Sequence, residues 1–350
     1  MENEDITKNE TPNQIPEINP ETTSQEQNIN FENRIDLSEV QQTVEQLKSE
    51  LKKVIVGQQD FIELLIVSLL SNGHVLIEGV PGIAKTITAR LFAKTLQTEF
   101  NRIQFTPDLM PSDVLGTSVL NMNTSSFEFK KGPIFSNMVL IDEINRAPAK
   151  TQAALFEVME ERQVTIDGVR YPLTSPFMVL ATQNPVEQEG TYVLPEAQLD
   201  RFLFKIKVDY PSLEEEIDIL KTHHERKSEK PLEIINSVLT PEKLVEFKNK
   251  TQEIIIEEKV LAYIAEIVTK TRTHPHLYLG ASPRASIAVM NASKAFAAIN
   301  GRDFVTPEDI KKSLFPVLRH RIILSPEREM EGMTTENVIE MILQSVEIPR

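Results

Sequence analysis

Gly79-Val80-Pro81-Gly82-Ile83-Ala84-Lys85-Thr86 is the stretch on which the fold turns. It follows the apolar run His74-Val75-Leu76-Ile77 and leads into a helical pattern, Ile87 to Ala93. That is the strand-loop-helix setting a phosphate-binding loop requires. In such a loop the backbone N–H groups of Gly79, Pro81's successors Gly82, Ile83 and Ala84, and the following helix N-terminus converge on phosphate oxygens. Lys85 would neutralise the β- and γ-phosphates, and the Thr86 hydroxyl would coordinate Mg²⁺. Ala84 stands where the usual pattern has a second Gly, so the backbone there must tolerate a methyl group. The plain alternative is a Gly-Pro turn that happens to precede a helix.

Further along, Met138-Val139-Leu140-Ile141 is a continuous apolar run, the pattern of a strand buried on both faces of a parallel sheet. It ends in Asp142-Glu143. Downstream of a phosphate loop, Asp142 is placed to hold the Mg²⁺ shell and Glu143 to polarise an attacking water. Taken alone, the pair would read equally well as a solvated strand end.

The chain has 350 residues, room for two domains, with 40% hydrophobic and 25% charged residues. Its net charge of −15 argues against a nucleic-acid partner, whose footprint is a basic patch. Cysteine is absent, which excludes disulfides and thiolate metal sites. No apolar run is long enough to span a membrane, and the start of the chain is acidic rather than signal-like, so the expected location is the cytoplasm, without direct membrane insertion.

Residues 1–36 are rich in Glu, Asn, Thr, Gln and Pro and are expected to form a disordered acidic tail. Ser38 is expected to cap the first helix, with Gln41 at the matching box position. Between His74 and Val208 apolar strands alternate with helical patterns, which predicts an α/β domain over residues 37–210 around a mostly parallel sheet. Its strands are expected at 74–78, 100–105, 138–141, 177–181 and 203–208. Two insertions decorate it: residues 106–131, and a hairpin over 163–171 turning at Asp167-Gly168. After Tyr210-Pro211 the pattern is helical, predicting a smaller all-α domain over 211–350 with starts at Ser212, Thr240, Ser282 and Thr306.

Three further motifs bear on the family. Ala181-Thr182-Gln183-Asn184-Pro185 brings the neutral Asn184 beside Asp142-Glu143. Leu194 to Phe202 (LPEAQLDRF) places Arg201 at a helix end, and Gly280-Ala281-Ser282-Pro283-Arg284 places Arg284 in a first helical turn. Singly, Asn184 could be a turn residue and the two arginines surface cations. In this order the motifs resemble those of the AAA+ P-loop ATPases, and most closely the MoxR family, over about residues 40–345. The resemblance implies that Lys85 and Thr86 are Walker A residues and Asp142 and Glu143 Walker B residues. It makes Asn184 sensor 1, Arg284 the sensor 2 arginine of a lid domain, and Arg201 the arginine finger that acts on a neighbouring subunit. Val56-Gly57-Gln58 resembles the segment lining the adenine pocket. The insertion at 106–131 is similar to the helix-2 insert and the hairpin at 163–171 to the pre-sensor-1 hairpin, both facing a ring pore. Ala at position 84 is itself a MoxR feature. Arg146 lies near the site, with an interface contact as one open role.

The implied activity is Mg²⁺-dependent ATP hydrolysis by a ring, commonly a hexamer, that remodels or matures a protein partner, with lid closure through Arg284 linking nucleotide state to domain angle. A partner carrying a von Willebrand factor A domain is implied as well. The alternatives are a nucleotide-gated scaffold with little turnover and the motor subunit of a metal-chelatase-like complex.

Overall fold

A computed structural model describes residues 35–185, 191–227 and 229–349. Of the expected tail only Ile35 and Asp36 fall within it; residues 1–34 lie outside the described residues.

The strands follow the apolar runs. They are β1 His74–Glu78, β2 Phe100–Gln104, β3 Gly116–Asn121, β4 Ser126–Lys131, β5 Met138–Asp142, β6 Gln163–Ile166, β7 Val169–Pro172, β8 Met178–Gln183 and β9 Phe202–Lys207. Five of them form one parallel sheet in the order β2-β5-β8-β1-β9. Because side chains alternate across a strand, each face of the sheet takes every second residue. Val75, Ile77, Leu140, Leu180 and Phe204 enter one apolar cluster, and Leu76, Val139, Ile141, Val179 and Phe202 enter the other. Both faces are therefore buried, at about 1.5–3 kcal/mol for each large apolar side chain removed from water. The sheet order places the carboxyl ends of β5, β8 and β1 side by side, which is where ligands bind in open parallel sheets.

The insertion after β2 contains the short helix Pro111–Leu115 and then the antiparallel ribbon of β3 and β4. The second hairpin, β6 and β7, turns at Asp167 and Gly168, both with positive φ (52° and 78°), the geometry an Asp-Gly turn favours. The two ribbons touch. Ser118 donates to Asp167 at 2.6 Å, and Phe129 lies 4.3 Å from Tyr171 between ring centroids. Val164 points into the core rather than outward, with 1% of its surface exposed.

Helix starts follow their caps with one correction. Ser212 accepts from the Glu215 N–H and Thr240 from the Lys243 N–H, as expected of caps. Ser38, however, is already the first helical residue of Ser38–Lys52, and the Asp36 carboxylate takes the Ser38 N–H at 2.9 Å. The Gln41 N–H that a Ser38 cap would need goes to the Leu37 carbonyl at 3.0 Å, and the Ser38 hydroxyl itself donates to Asp36, so Leu37 holds the cap position and the hydroxyl has no capping role.

From Leu213 onward the chain is helical except for a short antiparallel pair, β10 Leu277–Leu279 and β11 Ile323–Leu324. The helix Pro283–Ile299 packs on the helices Gln59–Leu70 and Ser38–Lys52. Ile35 onward forms one compact unit. Among the described residues no helix is long and apolar enough to cross a membrane.

Candidate nucleotide site

The phosphate loop leaves β1 at Gly79. A Cβ at Gly79 would come within 2.6 Å of the Val208 carbonyl oxygen, so the strand can make this exit only with glycine. Gly82 turns at φ +89° and Ala84 at φ 61°, ψ 14°. Ala84 thus sits in the left-handed region that its sequence position foreshadows, at a cost of about 1–2 kcal/mol that glycine would avoid. The helix Lys85–Thr95 begins immediately after it.

Pro81, Gly82, Ala84, Lys85 and Thr86 line one side of a cavity of about 410 Å³, and Asp142, Glu143, Thr182 and Asn184 line the other. Ile83 is buried beneath the loop, and its carbonyl accepts from Gln58 Nε2 at 2.9 Å. Gln58 thereby ties the loop to Val56 and Gly57. These two residues line a second cavity of about 380 Å³ with Asp218, Lys221 and Thr222 from the helix Leu213–Arg226. Lys85 turns back on the Gly79 carbonyl. Burial pushes its pKa down, opposed by the negative charges of Asp142 and Glu143.

The carboxylates are held by neighbours that the sequence reading did not assign. Asp142 accepts from Arg102 Nε on β2 and, at 3.1 Å, from the Thr182 hydroxyl on β8. Glu143 accepts from Gln104 Nε2 at 2.8 Å and pairs with Arg146 Nε at 2.9 Å. Its own N–H donates to the Thr182 oxygen at 3.0 Å, with Glu143 itself at φ 56°, ψ 54°. A non-glycine residue in that region is worth about 1–3 kcal/mol of strain, the kind that surrounding contacts must hold in place. Arg102 and Gln104 alternate along β2, so both side chains leave the same face toward β5. That alternation in Phe100-Asn101-Arg102-Ile103-Gln104 was the one signal available for them.

The donor set suits Mg²⁺. The Thr86 hydroxyl and the Asp142 carboxylate are hard oxygen donors on one cavity, and two protein ligands completed by phosphate and water are the usual complement for this ion. Among the described residues no cluster of three or more His, Cys, Asp or Glu offers an all-protein metal cage.

Arg201 and Arg284 are not among the residues lining this cavity. They meet each other's counter-ion elsewhere. Arg201 Nη1 pairs with Glu160, near the end of the helix Ala149–Glu161, and donates to the Phe156 carbonyl at 3.1 Å. Arg284 Nη2 donates to the other oxygen of Glu160 at 3.1 Å, and its Nη1 lies 3.9 Å from Asp200. The implied closure of Arg284 onto its own chain's phosphates is therefore not the arrangement seen. Arg284 stands with Arg201, and the start of its helix is fastened at Asp200, where the Ser282 hydroxyl donates at 2.9 Å.

Comparison with known proteins agrees with this geometry. Residues 74–204 match the ATPase family associated with various cellular activities (AAA), and residues 269–342 match the AAA lid domain. The chain is 43% identical to Chaperone MoxR1 of Mycobacterium tuberculosis, over 88% of this chain and 83% of that protein. It is 48% identical to protein YeaC of Bacillus subtilis, over 85% of this chain and 92% of the relative. A crystal structure from Cytophaga hutchinsonii superposes with a TM-score of 0.83 at 44% identity, covering 90% of this chain and 97% of that one. The chain belongs to the MoxR family of AAA+ ATPases.

Proposed function

We propose that this protein binds Mg²⁺-ATP in the cavity between Lys85 and Glu143 and hydrolyses it within a ring of its own copies, to remodel or mature a protein partner in the cytoplasm. The observation that carries the reading is the convergence of Lys85, Thr86, Asp142, Glu143 and Asn184 on one cavity at the carboxyl edge of a parallel sheet. Loop N–H groups and Lys85 bind and orient the phosphates. Glu143 takes a proton from the attacking water, and Asn184 hydrogen-bonds that water or the γ-phosphate. Thr86 and Asp142 would hold Mg²⁺, which when bound would supply charge neutralisation for the phosphates.

Two features support slow turnover by an isolated subunit. Gln104 and Arg146 both engage Glu143 Oε2, so that oxygen must exchange partners before it can act on water. Arg201 is engaged by Glu160 outside its own cavity, which suits an arginine that serves a neighbouring copy. With Arg284 sharing that carboxylate, both arginines belong to the same subunit face in this reading. A hexamer and a client with a von Willebrand factor A domain are the assembly and partner that the family resemblance suggests.

The test separates binding from chemistry. Lys85→Ala should abolish binding of a fluorescent ATP analogue, while Glu143→Gln should bind it and fail to release phosphate. Turnover at the parent rate by Glu143→Gln would remove Glu143 from the chemistry and overturn the reading.

A further inference from the structure

Arg321 does not line the phosphate cavity, yet all five of its N–H donors are spent on the segment Asp200–Leu203 around Arg201 and on Val317 of the helix Pro307–Leu318. Nε donates to Asp200 Oδ1 at 2.7 Å, Nη2 to the carbonyls of Asp200 at 3.0 Å and Phe202 at 2.7 Å, and Nη1 to those of Leu203 at 3.0 Å and Val317 at 2.7 Å. A guanidinium has five such donors, so this one has none left for solvent or ligand. Only 8% of Arg321 is exposed. Beside it His320 Nε2 makes a further contact with the Phe202 carbonyl at 3.0 Å. The second carboxylate oxygen of Asp200 takes the Ser282 hydroxyl at the start of the helix that presents Arg284.

We infer that Arg321, acting through Asp200, is a positioning residue for the arginine finger: it locks the Asp200–Leu203 segment, where the turn enters β9, to the lid so that Arg201 and Arg284 are presented to a neighbouring subunit as one rigid pair. The physical basis is the planar fork of the guanidinium, which fixes direction as well as distance at each bonded oxygen. A lysine at 321 keeps the charge but can reach only a subset of these acceptors from a single nitrogen. The carbonyls of Asp200 and Leu203 would then be short of donors, with Phe202 keeping only His320, and the turn bearing Arg201 would lose its fixed aim. Glu160 completes the arrangement as the carboxylate both arginines share in the resting subunit. The inference rests on the reading that Arg201 acts in trans.

The experiment is mixed-ring complementation with full-length protein, scored as ATPase activity after confirmed subunit exchange between differently tagged variants. Arg321→Lys alone should bind the ATP analogue within about twofold of the parent while kcat falls at least tenfold and KM changes little. Mixed with Lys85→Ala, it should regain activity to the same level as the control mixture of Arg201→Ala with Lys85→Ala. With equal random mixing that level is at most about a quarter of the parent, because each head-to-tail interface takes one half from each neighbour. Mixed with Arg201→Ala it should regain nothing, since both lack a working finger.

The opposite pattern, rescue by Arg201→Ala and none by Lys85→Ala, would mean that Arg321 supports its own subunit's pocket, and would overturn the inference alone. Parent-level ATPase by a folded Arg321→Lys protein would overturn it too. If the control mixture itself stays silent, the trans reading of Arg201 fails and takes the inference with it. Should Arg321→Lys lose its cooperative melting transition, Asp200→Asn, which removes one oxygen from the same junction and preserves its shape, goes through the same three mixtures with the same outcomes.

Discussion

In the phosphate cavity the functional residues cluster at the carboxyl ends of β1, β5 and β8 and the start of the helix Lys85–Thr95, and two residues there, Ala84 and Glu143, sit in left-handed backbone at φ 61° and 56°. In the corner of Arg201 and Arg284 the side chains ride on a turn and a helix start that are bonded by the buried Arg321 and His320 and the half-buried Ser282. The cavity's carboxylates hold exchangeable partners: Arg102 on Asp142, and Gln104 with Arg146 on Glu143. The corner's central contacts run from the buried Arg321 to three backbone carbonyls and Asp200. The first region is built to change partners when its ligand arrives, and the second to keep its aim. That division fits a chemistry in which positioning and charge supply nearly all of the catalysis.

The comparison is broken most severely by removing the finger. Arg201→Ala should lower kcat in the assembled protein by about 10³–10⁵, the range an arginine supplied across an interface is worth, with ATP-analogue affinity unchanged. A matching loss of affinity would place Arg201 in its own subunit's binding site and dissolve the distinction between the regions. Glu143→Gln comes next, at about 10²–10⁴ in rate, the usual contribution of a positioned general base. Single-turnover phosphate release from preloaded protein checks it, because that measurement isolates chemistry from binding.

How much of each region could be read from the sequence follows from the same contrast. The cavity's chemistry is carried by contiguous motifs at strand ends, and strands buried on both faces announce themselves as unbroken apolar runs, as Met138 to Ile141 does. All five strands of the sheet fall within a residue or two of where those runs put them. Arg102 and Gln104 escaped because an edge strand with alternating polar residues reads as a solvated face until its neighbour β5 is known. The corner was legible only as two isolated arginines. Arg319-His320-Arg321 looks like a basic surface cluster, and the acceptor that gives Arg321 its meaning, Asp200, is 121 residues away in sequence. Val164 shows the same limit in the hairpin. Its alternation with Thr165 fixes which residues share a face, but not that its own face is the core side.

That placement of Val164 carries a prediction of intermediate size. Val164→Ser should destabilise the protein by about 2–4 kcal/mol, combining lost apolar burial with a hydroxyl placed in the cluster of Phe156 and Phe177. Tyr171→Ser, on the opposing strand and facing Phe129, should cost less than half of that. Denaturant melts of the two variants decide it. Equal small effects would mean that the hairpin is not anchored in the core.

The smallest effect tests the seam between the sheet and the helical region. Glu336, in the first turn of the helix Thr335–Ser345, accepts from Lys207 on β9 at 2.7 Å and lies 3.5 Å from Arg319 Nε. Burial pulls its pKa up, but the Lys207 hydrogen bond, its own backbone N–H and the Thr335 hydroxyl outweigh this and bring it down to about 2. A carboxyl whose folded pKa lies below its unfolded value stabilises the fold fully above the unfolded value, near 4.5, and loses that stabilisation as pH falls toward the folded value. With the side chain partly open to solvent, the contribution at neutral pH is about 1–3 kcal/mol after allowance for screening. Glu336→Gln should therefore be less stable than the parent by that amount at pH 7. The gap should begin to close below pH 4.5 and narrow steadily toward pH 2 in urea titrations. A gap that keeps its full size through that window would show that Glu336 holds its part of the seam by shape and neutral hydrogen bonding alone, leaving the Arg321–Asp200 pair as an ionic tie between the two regions.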